Sequence, residues 1–185
     1  MLRRVLPIDM DDLEMAFDDH SPEIRSYLDT RSGEVLAVPD EIRANLETIY
    51  AELPEDADTE ALDWPRIARE HGWPEWMVGP LQDADRVERG FGVGIVRVPQ
   101  DESRDGYRDM EAFIDTVPEP RLREHLERAI DGRGAFRRFT EELDYHDAER
   151  EPWFPFKRDR LRGRIREWLE DQGIEAAPTA AAPTA

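Results

Sequence analysis

Gly132-Arg133-Gly134-Ala135-Phe136-Arg137-Arg138-Phe139 is the stretch on which the reading of the chain turns. Two glycines bracket an arginine, and an arginine pair lies between two phenylalanines. Before it, Leu122, Leu126, Ala129 and Ile130 recur at helical spacing, and Gly132 suits the left-handed residue that closes a helix. After it, Phe136, Phe139 and Leu143 begin a new apolar face. The spacing predicts a helix, a tight corner and a second helix, with Arg133, Gly134, Arg137 and Arg138 gathered where they meet.

That corner is the strongest functional candidate in the sequence. Unpaired N–H groups at a helix start and three guanidiniums donate toward the same charge, which makes an anion site or an acidic partner chemically reasonable. The plainer reading is a set of solvated arginines, with Glu141 and Glu142 four residues beyond Arg137 and Arg138. Arg before Glu is the weaker order for such a pair. Cations in a first helical turn also face the positive end of the helix dipole, at about 0.3–1 kcal/mol each. A carboxylate of the same protein is the leading internal alternative as their counter-ion.

Working outward, Asp9 is placed to cap a short helix that carries Leu13, Ala16 and Phe17. Residues 24–29 and 34–38 are short β-rich runs joined through Gly33, and they predict a hairpin. Ile42, Leu46, Ile49, Tyr50 and Leu53 mark a helix beginning near Pro39-Asp40. Trp64, Ile67 and Ala68 mark another that stops at His71-Gly72. Residues 54–63 read as an acidic loop, and 72–92, where Pro74, Pro80 and two glycines accompany Trp73 and Trp76, as irregular. The tryptophans here are expected in the core. Phe91–Val98 reads as a strand that joins the hairpin, since two strands alone are marginal. Its glycines precede the strand and no Lys-Ser/Thr follows, so neither a P-loop nor a dinucleotide fingerprint is present. Close backbone packing explains them better.

Tyr107, Met110, Phe113, Ile114 and Val117 give a further helix, broken by Pro118 and Pro120. Beyond the corner, Trp153, Phe154 and Phe156 precede a last helix on Leu161, Ile165, Trp168 and Leu169, closed by Gly173. Residues 175–185, rich in Ala, Pro and Thr, are expected to be a disordered tail.

Composition excludes several kinds of function. The 185 residues contain no cysteine, so disulfides, thiol catalysis and cysteine-ligated zinc are out. The four histidines lack metal-ligand spacing, and neither a metal nor a cofactor is expected. No apolar run could cross a membrane, and the acids from Asp9 onward argue against a signal peptide. A net charge of -19 disfavours nucleic acid and anionic membranes as partners. The charge is uneven: residues 1–118 hold 12 basic and 29 acidic side chains, whereas 119–172 hold 13 and 14. Only Lys157 among the 25 cations is not arginine, a bias that suits a high-salt cytoplasm or a GC-rich genome.

Other candidates are weaker. Arg158, Arg162 and Arg166 recur every four residues on the last helix, flanked by Arg160 and Arg164, as on nucleic-acid-binding helices. Asp159, Glu167, Glu170 and Asp171 dilute that stripe into a solvated face. Acids crowd the first helix and precede the one near Tyr107, yet nothing marks two of them as a facing catalytic pair. No Gly-x-Ser-x-Gly is present.

The residues also carry a likeness. Tyr107-x2-Met110-x2-Phe113-Ile114, Ala129-Ile130-x-Gly132-x-Gly134-Ala135-Phe136-Arg137-Arg138-Phe139, Trp153-x2-Phe156 and Trp168-Leu169-x3-Gly173-Ile174 resemble the bacterial uncharacterised protein family 0158. The Tyr27-Leu28-Asp29-x3-Gly33-Glu34-Val35 hairpin is similar to the family's N-terminal part. Where that family commonly has Lys between the glycines, this chain has Arg133. The resemblance implies a soluble bacterial protein and supplies no activity, cofactor or catalytic residue.

The expected fold is α+β: a small antiparallel sheet, hairpin plus one strand, packed with about six helices, the C-terminal third all-helical. Residues 1–174 are expected to form one domain and 175–185 the tail. The function expected is non-catalytic binding or regulation in the cytoplasm. Its contact surface is Arg133, Gly134, Arg137 and Arg138 with Arg158 and Arg162 alongside, and its partner is a protein or an anionic ligand. The alternatives are an enzyme acting on a phosphorylated small molecule, with the arginines as a phosphate clamp and Asp144 as base, and a nucleic-acid-binding protein.

Overall fold

The computed structural model describes residues 3–54 and 58–177. Along the chain run β1 (Arg4–Pro7), α1 (Met10–Asp18), β2 (Ile24–Asp29), β3 (Val35–Pro39), α2 (Asp40–Glu52), α3 (Trp64–Glu70), α4 (Val78–Gly90), β4 (Ile95–Arg97), α5 (Ser103–Ile114), α6 (Pro120–Ile130), α7 (Ala135–Leu143), α8 (Asp147–Asp171) and β5 (Ile174–Ala177). Single turns of 3₁₀ helix occur at Thr59–Ala61 and Glu75–Met77. The class is α+β, as the residue patterns imply. No helix among the described residues is long and apolar enough to cross a membrane. The chain forms two compact units, Met1–Pro99 with Glu170–Ala185, and Gln100–Leu169.

In the first unit β2 is the central strand of a three-stranded antiparallel sheet ordered β3-β2-β4. The hairpin register sets Leu28 opposite Val35 and Ser26 opposite Ala37, and β4 joins the other side with Leu28 opposite Val96. Alternation along the strands sends Tyr27, Leu36 and Val38 into one apolar cluster with Ile42, Leu46 and Ile49 of α2, Trp64 and Ile67 of α3, and Leu81, Ala84 and Val87 of α4. Asp9 caps α1 as its position predicts, accepting from the N–H groups of Asp11 and Asp12. The glycines around Phe91 serve close packing: a Cβ on Gly90 would meet Ile95 Cδ1 at 2.8 Å, and one on Gly94 would meet Arg31 Nε at 2.6 Å.

Several details differ from the expectation. The strand expected over Phe91–Val98 covers only Ile95–Arg97, and the last helix starts at Asp147 and so takes in Trp153, Phe154 and Phe156. Residues 72–92 are not irregular, because Val78–Gly90 is a helix with Leu81, Ala84 and Val87 buried. Gly79 and Pro80 look like breakers, but both fall in its first turn, where the missing proline N–H costs nothing. Of the nearby tryptophans, Trp64 is in the core and Trp76 is 69% exposed. Finally, Ile174–Ala177 pairs in parallel with Arg4–Pro7, so residues 175–177 of the expected tail form a strand. Main-chain pairing asks little of side chains, which is why an alanine-rich run gave no warning of it. The rest of that tail, 178–185, lies outside the described residues, as do 55–57 of the acidic loop.

The second unit is helical. Met110, Phe113 and Ile114 of α5, Leu122, Leu126 and Ile130 of α6, and Ala135, Phe139 and Leu143 of α7 form its core, with Trp153 and Phe156 of α8 packed on it. Phe113 and Phe139 each meet Trp153 edge-on, with centroids 5.1 and 4.9 Å apart, the geometry aromatic quadrupoles favour.

Gly33 has φ of +85°, and a Cβ there would sit 2.9 Å from the Pro7 carbonyl oxygen. Gly33→Ala is therefore expected to cost about 1–3 kcal/mol and to lower the melting temperature by several degrees in a calorimetric scan.

Candidate functional site

The corner is built from backbone first. α6 ends at Ile130, Asp131 is extended, and Gly132 and Gly134 both take positive φ, +75° and +77°. A side chain at either position would strain the backbone, and together the two glycines turn the chain so that α7 can start at Ala135.

Arg138 then closes the corner. Its Nε donates to the Ala129 carbonyl at 2.9 Å and its Nη2 to the Asp131 carbonyl at 2.5 Å, while Nη1 donates to the Arg133 carbonyl. Those oxygens belong to the end of α6 and the turn beyond it. The side chain is rooted in the first turn of α7, where the dipole opposes a cation, but its charge lies over the C-terminal end of α6, where the dipole favours one. The internal counter-ion is a set of main-chain carbonyls, not a carboxylate.

Arg137 and Arg133 are engaged differently. Arg137 faces solvent and holds a loose ion pair with Glu141 at 3.6 Å, the two side chains 81% and 59% exposed. Pairs of that kind contribute little. Arg133 is exposed, and its side chain makes no hydrogen bond or ion pair among the described residues. Phe136 sits between them in sequence and remains 47% exposed. The inner part of its ring lies on α5, where a Cβ on Gly106 would come within 2.9 Å of Phe136 Cε1. Gly106 thus makes room for the ring, and the outer part faces water.

The arginines of α8 are bound up in the protein. Arg164 holds Asp101 through both terminal oxygens, Nε to Oδ1 and Nη2 to Oδ2, each at 2.8 Å. Its Nη1 donates to Oδ1 of Asp109 at 3.0 Å, and the same oxygen of this wholly buried residue accepts from Arg160 Nε at 2.9 Å. Burial pushes the Asp101 carboxyl above its ordinary value in spite of Arg164. Arg158 and Arg162 are engaged by other groups as well. The sequence carried one sign of this lattice: Asp109 adjoins Met110 on an apolar helical face, where an acid needs a cation.

A second buried cluster escaped the sequence reading. At the hairpin turn, Arg86 of α4 reaches Asp29 Oδ2 through Nε at 3.1 Å and Nη2 at 2.5 Å, Glu34 through Nη1 at 2.5 Å, and Ser32 Oγ at 3.2 Å. Burial alone would raise the Asp29 carboxyl. The Arg86 hydrogen bonds and charge, with backbone N–H groups of Arg31 and Ser32, outweigh that and hold it below its ordinary 3.8.

Asp144 caps the far end of α7 and pairs with Arg150 at 3.0 Å. A nine-residue helix rises about 14 Å, so this acid and the corner stand at opposite ends of one element. The cleft that touches the corner through Ile130 and Asp131 encloses about 680 Å³ and presents Glu111, Asp115, Glu127 and Asp131 against the single cation Arg128. An anion would be repelled there. Among the described residues no three acids or histidines gather as a metal site would.

Two outcomes follow from this geometry. Arg138→Ala should lower stability by about 1–3 kcal/mol in urea titration, because it uncovers carbonyls at a helix end, whereas Arg137→Ala should stay within about 0.5 kcal/mol. Because the folded Asp29 value is depressed, its contribution is present above pH 3.8 and is lost as pH falls through the lower folded value. Asp29→Asn should therefore flatten the acid limb of the stability profile below pH 3.8 while reducing stability at pH 7.

The chain has detectable relatives. Residues 96–182 match the uncharacterised protein family UPF0158. The UPF0158 protein PA5073 of Pseudomonas aeruginosa is 29% identical over 174 residues, covering 94% of this chain and 88% of that protein. No solved structure matches. The chain is thus similar to UPF0158 proteins, to the family model over residues 96–182 and to the Pseudomonas protein along almost its whole length.

Proposed function

We propose that the chain is a cytoplasmic binding module whose contact surface is the outer side of the α6–α7 corner, and that it takes an acidic segment of a partner protein. One observation carries this reading: Phe136 is 47% exposed between two exposed arginines, Arg133 and Arg137. Half-exposed aromatics beside arginine are the side chains that contribute most at protein interfaces. Both arginines are unengaged or weakly paired, so little protein structure is lost when they turn to a partner. A partner must supply negative charge, since guanidiniums reward carboxylates held in their plane.

The arginine set of the sequence reading is narrower on this proposal. Arg138 positions α7 and does not contact the partner. Gly134 supplies the turn. Arg158 and Arg162, already engaged, are left out of the contact surface. A clamp on a phosphorylated substrate with Asp144 as base finds less support, because the acid stands a helix length away and the adjoining cleft is acidic.

The test is a double charge reversal, Arg133→Glu with Arg137→Glu. Capture of the bound partner from the native organism is expected to fall at least tenfold while the melting temperature changes by less than about 2 °C. Phe136→Ala is expected to weaken capture further. Unchanged capture by the double variant would refute the reading. Stabilisation of the wild type by sugar phosphates, lost in the same variant, would favour the enzyme instead.

A further inference from the structure

The hairpin has an open edge beside an apolar groove, and both lie in the first unit. The Asp29 N–H donates to the Glu34 carbonyl and the Asp40 N–H to the Glu23 carbonyl, which fixes the pairs that exchange hydrogen bonds across β2 and β3. With the register Tyr27 to Leu36 and Ser26 to Ala37, the backbone groups of Val35 and Ala37 point away from β2. β3 is an outer strand of its sheet, and no main-chain hydrogen bond to Val35 or Ala37 comes from any other element among the described residues. Edges of this kind are usually blocked by a charge, a proline, a bulge or a covering element; Pro39 closes β3 with no outward N–H, and the stretch before it, Val35, Leu36, Ala37 and Val38, carries no charge.

Beside that edge α1 and the sheet enclose a groove of about 370 Å³. Its floor is Ile24, Val35 and Ala37, Met15 forms the wall, and Asp12 and Asp19 stand at the rim. Met15 is 66% exposed. No lining residue is basic; Asp19 is engaged elsewhere in the protein, accepting from the Ser21 N–H among others, whereas Asp12 has no side-chain partner among the described residues. Burial first, then repulsion from Asp9 and Asp11, pushes the Asp12 carboxyl above its ordinary value.

We infer that β3 and this groove dock an extended segment of a partner protein, apolar at alternate positions and flanked by lysine or arginine. Its backbone pairs with Val35 and Ala37, adding a fourth strand, and its apolar side chains enter against Met15, Ile24 and Val35. Its cations meet Asp12. The charge selects the occupant, since an acidic segment would bring like charges together at the rim. This surface is separate from the arginine corner and of opposite charge, so each can fail without the other.

The experiment uses the full chain and a fluorescent heptapeptide of alternating lysine and valine, read by anisotropy. Two control peptides carry glutamate in place of lysine, or methylated backbone nitrogens at alternate positions. The lysine peptide should bind, and both controls should bind at least tenfold more weakly. Ala37→Pro removes one outward N–H without touching the β2 ladder and should weaken binding about tenfold. Asp12→Lys should weaken the lysine peptide and strengthen the glutamate peptide. Arg133→Glu with Arg137→Glu should change neither. Failure of the lysine peptide to bind, equal binding of the methylated peptide, or unchanged binding by Asp12→Lys would overturn the inference. Sedimentation showing a dimer that Ala37→Pro dissociates would assign the edge to a second copy and overturn it as well. Should Ala37→Pro not fold, Asp12→Lys and the methylated peptide decide.

Discussion

Three carbonyl oxygens at the end of α6 and in the turn beyond it, from Ala129, Asp131 and Arg133, share one guanidinium. A helix end leaves its last carbonyls without internal donors, and two left-handed glycines leave no side chain nearby to serve them. Arg138 fills that need from the next helix, which fixes where α7 begins and how it is rotated. The rotation then puts Ala135, Phe139 and Leu143 inward, so that Phe139 meets Phe113 and Trp153. Phe136 is carried to the rim of the core by the same rotation. The exposed aromatic and the buried one are two consequences of a single cap.

The same chemistry recurs through both units and gives the arginine bias a structural meaning. Arg164 joins Asp101 to Asp109, Arg86 joins Asp29 to Glu34 and Ser32, and Arg89 grips Asp85, which also accepts from the Tyr50 hydroxyl at 2.6 Å. Arg164 and Arg86 each serve two or three acceptor groups in fixed directions, and Arg89 closes on one oxygen with two donors. An ammonium group offers the same charge without the fork, so lysine could neutralise one of these acids but could not tie two elements at set angles. In a chain with 44 acids, buried carboxylates such as Asp109 and Asp85 are tolerated because donors converge on them, Arg160 and Arg164 on Oδ1 of Asp109, and Arg89 on Oδ2 and the Tyr50 hydroxyl on Oδ1 of Asp85.

What the sequence disclosed depended on the range of the interaction. Caps, turns and apolar faces are local, and Asp9, Gly33, Gly132 and the Phe139 face could be read directly. The hairpin and its third strand were legible because alternation and a glycine turn speak within a dozen residues. The α4 helix was missed because Gly79 and Pro80 count as breakers only in a helix interior, and their place in its first turn was not evident. The pairing of β5 with β1 joins the two ends of the chain and leaves no periodic mark. Above all, the sequence showed where the guanidiniums lie but not what they face. Arg138 and Arg164 look as available as Arg133 until partners 9 and 63 residues away are known.

That distinction decides how the basic third of the chain bears on function. Its near balance of charge suggests a cationic surface, yet Arg138 and Arg164 are held by carbonyls or by acids of the protein and Arg160 gives its Nε to Asp109, and donors already spent inside the protein gain little from an external anion. The cationic surface is therefore much smaller than the count of arginines, and its members are found by asking which guanidiniums the fold does not need. Arg133 and Arg137 pass that test, and the fold also leaves Phe136 between them. The converse holds for the acids. Asp29, Asp85, Asp101 and Asp109 are held by arginine, whereas Asp12 stands at a groove with other acids for neighbours. Residues the fold does not use are where a partner can gain most, and here they form two surfaces of opposite sign.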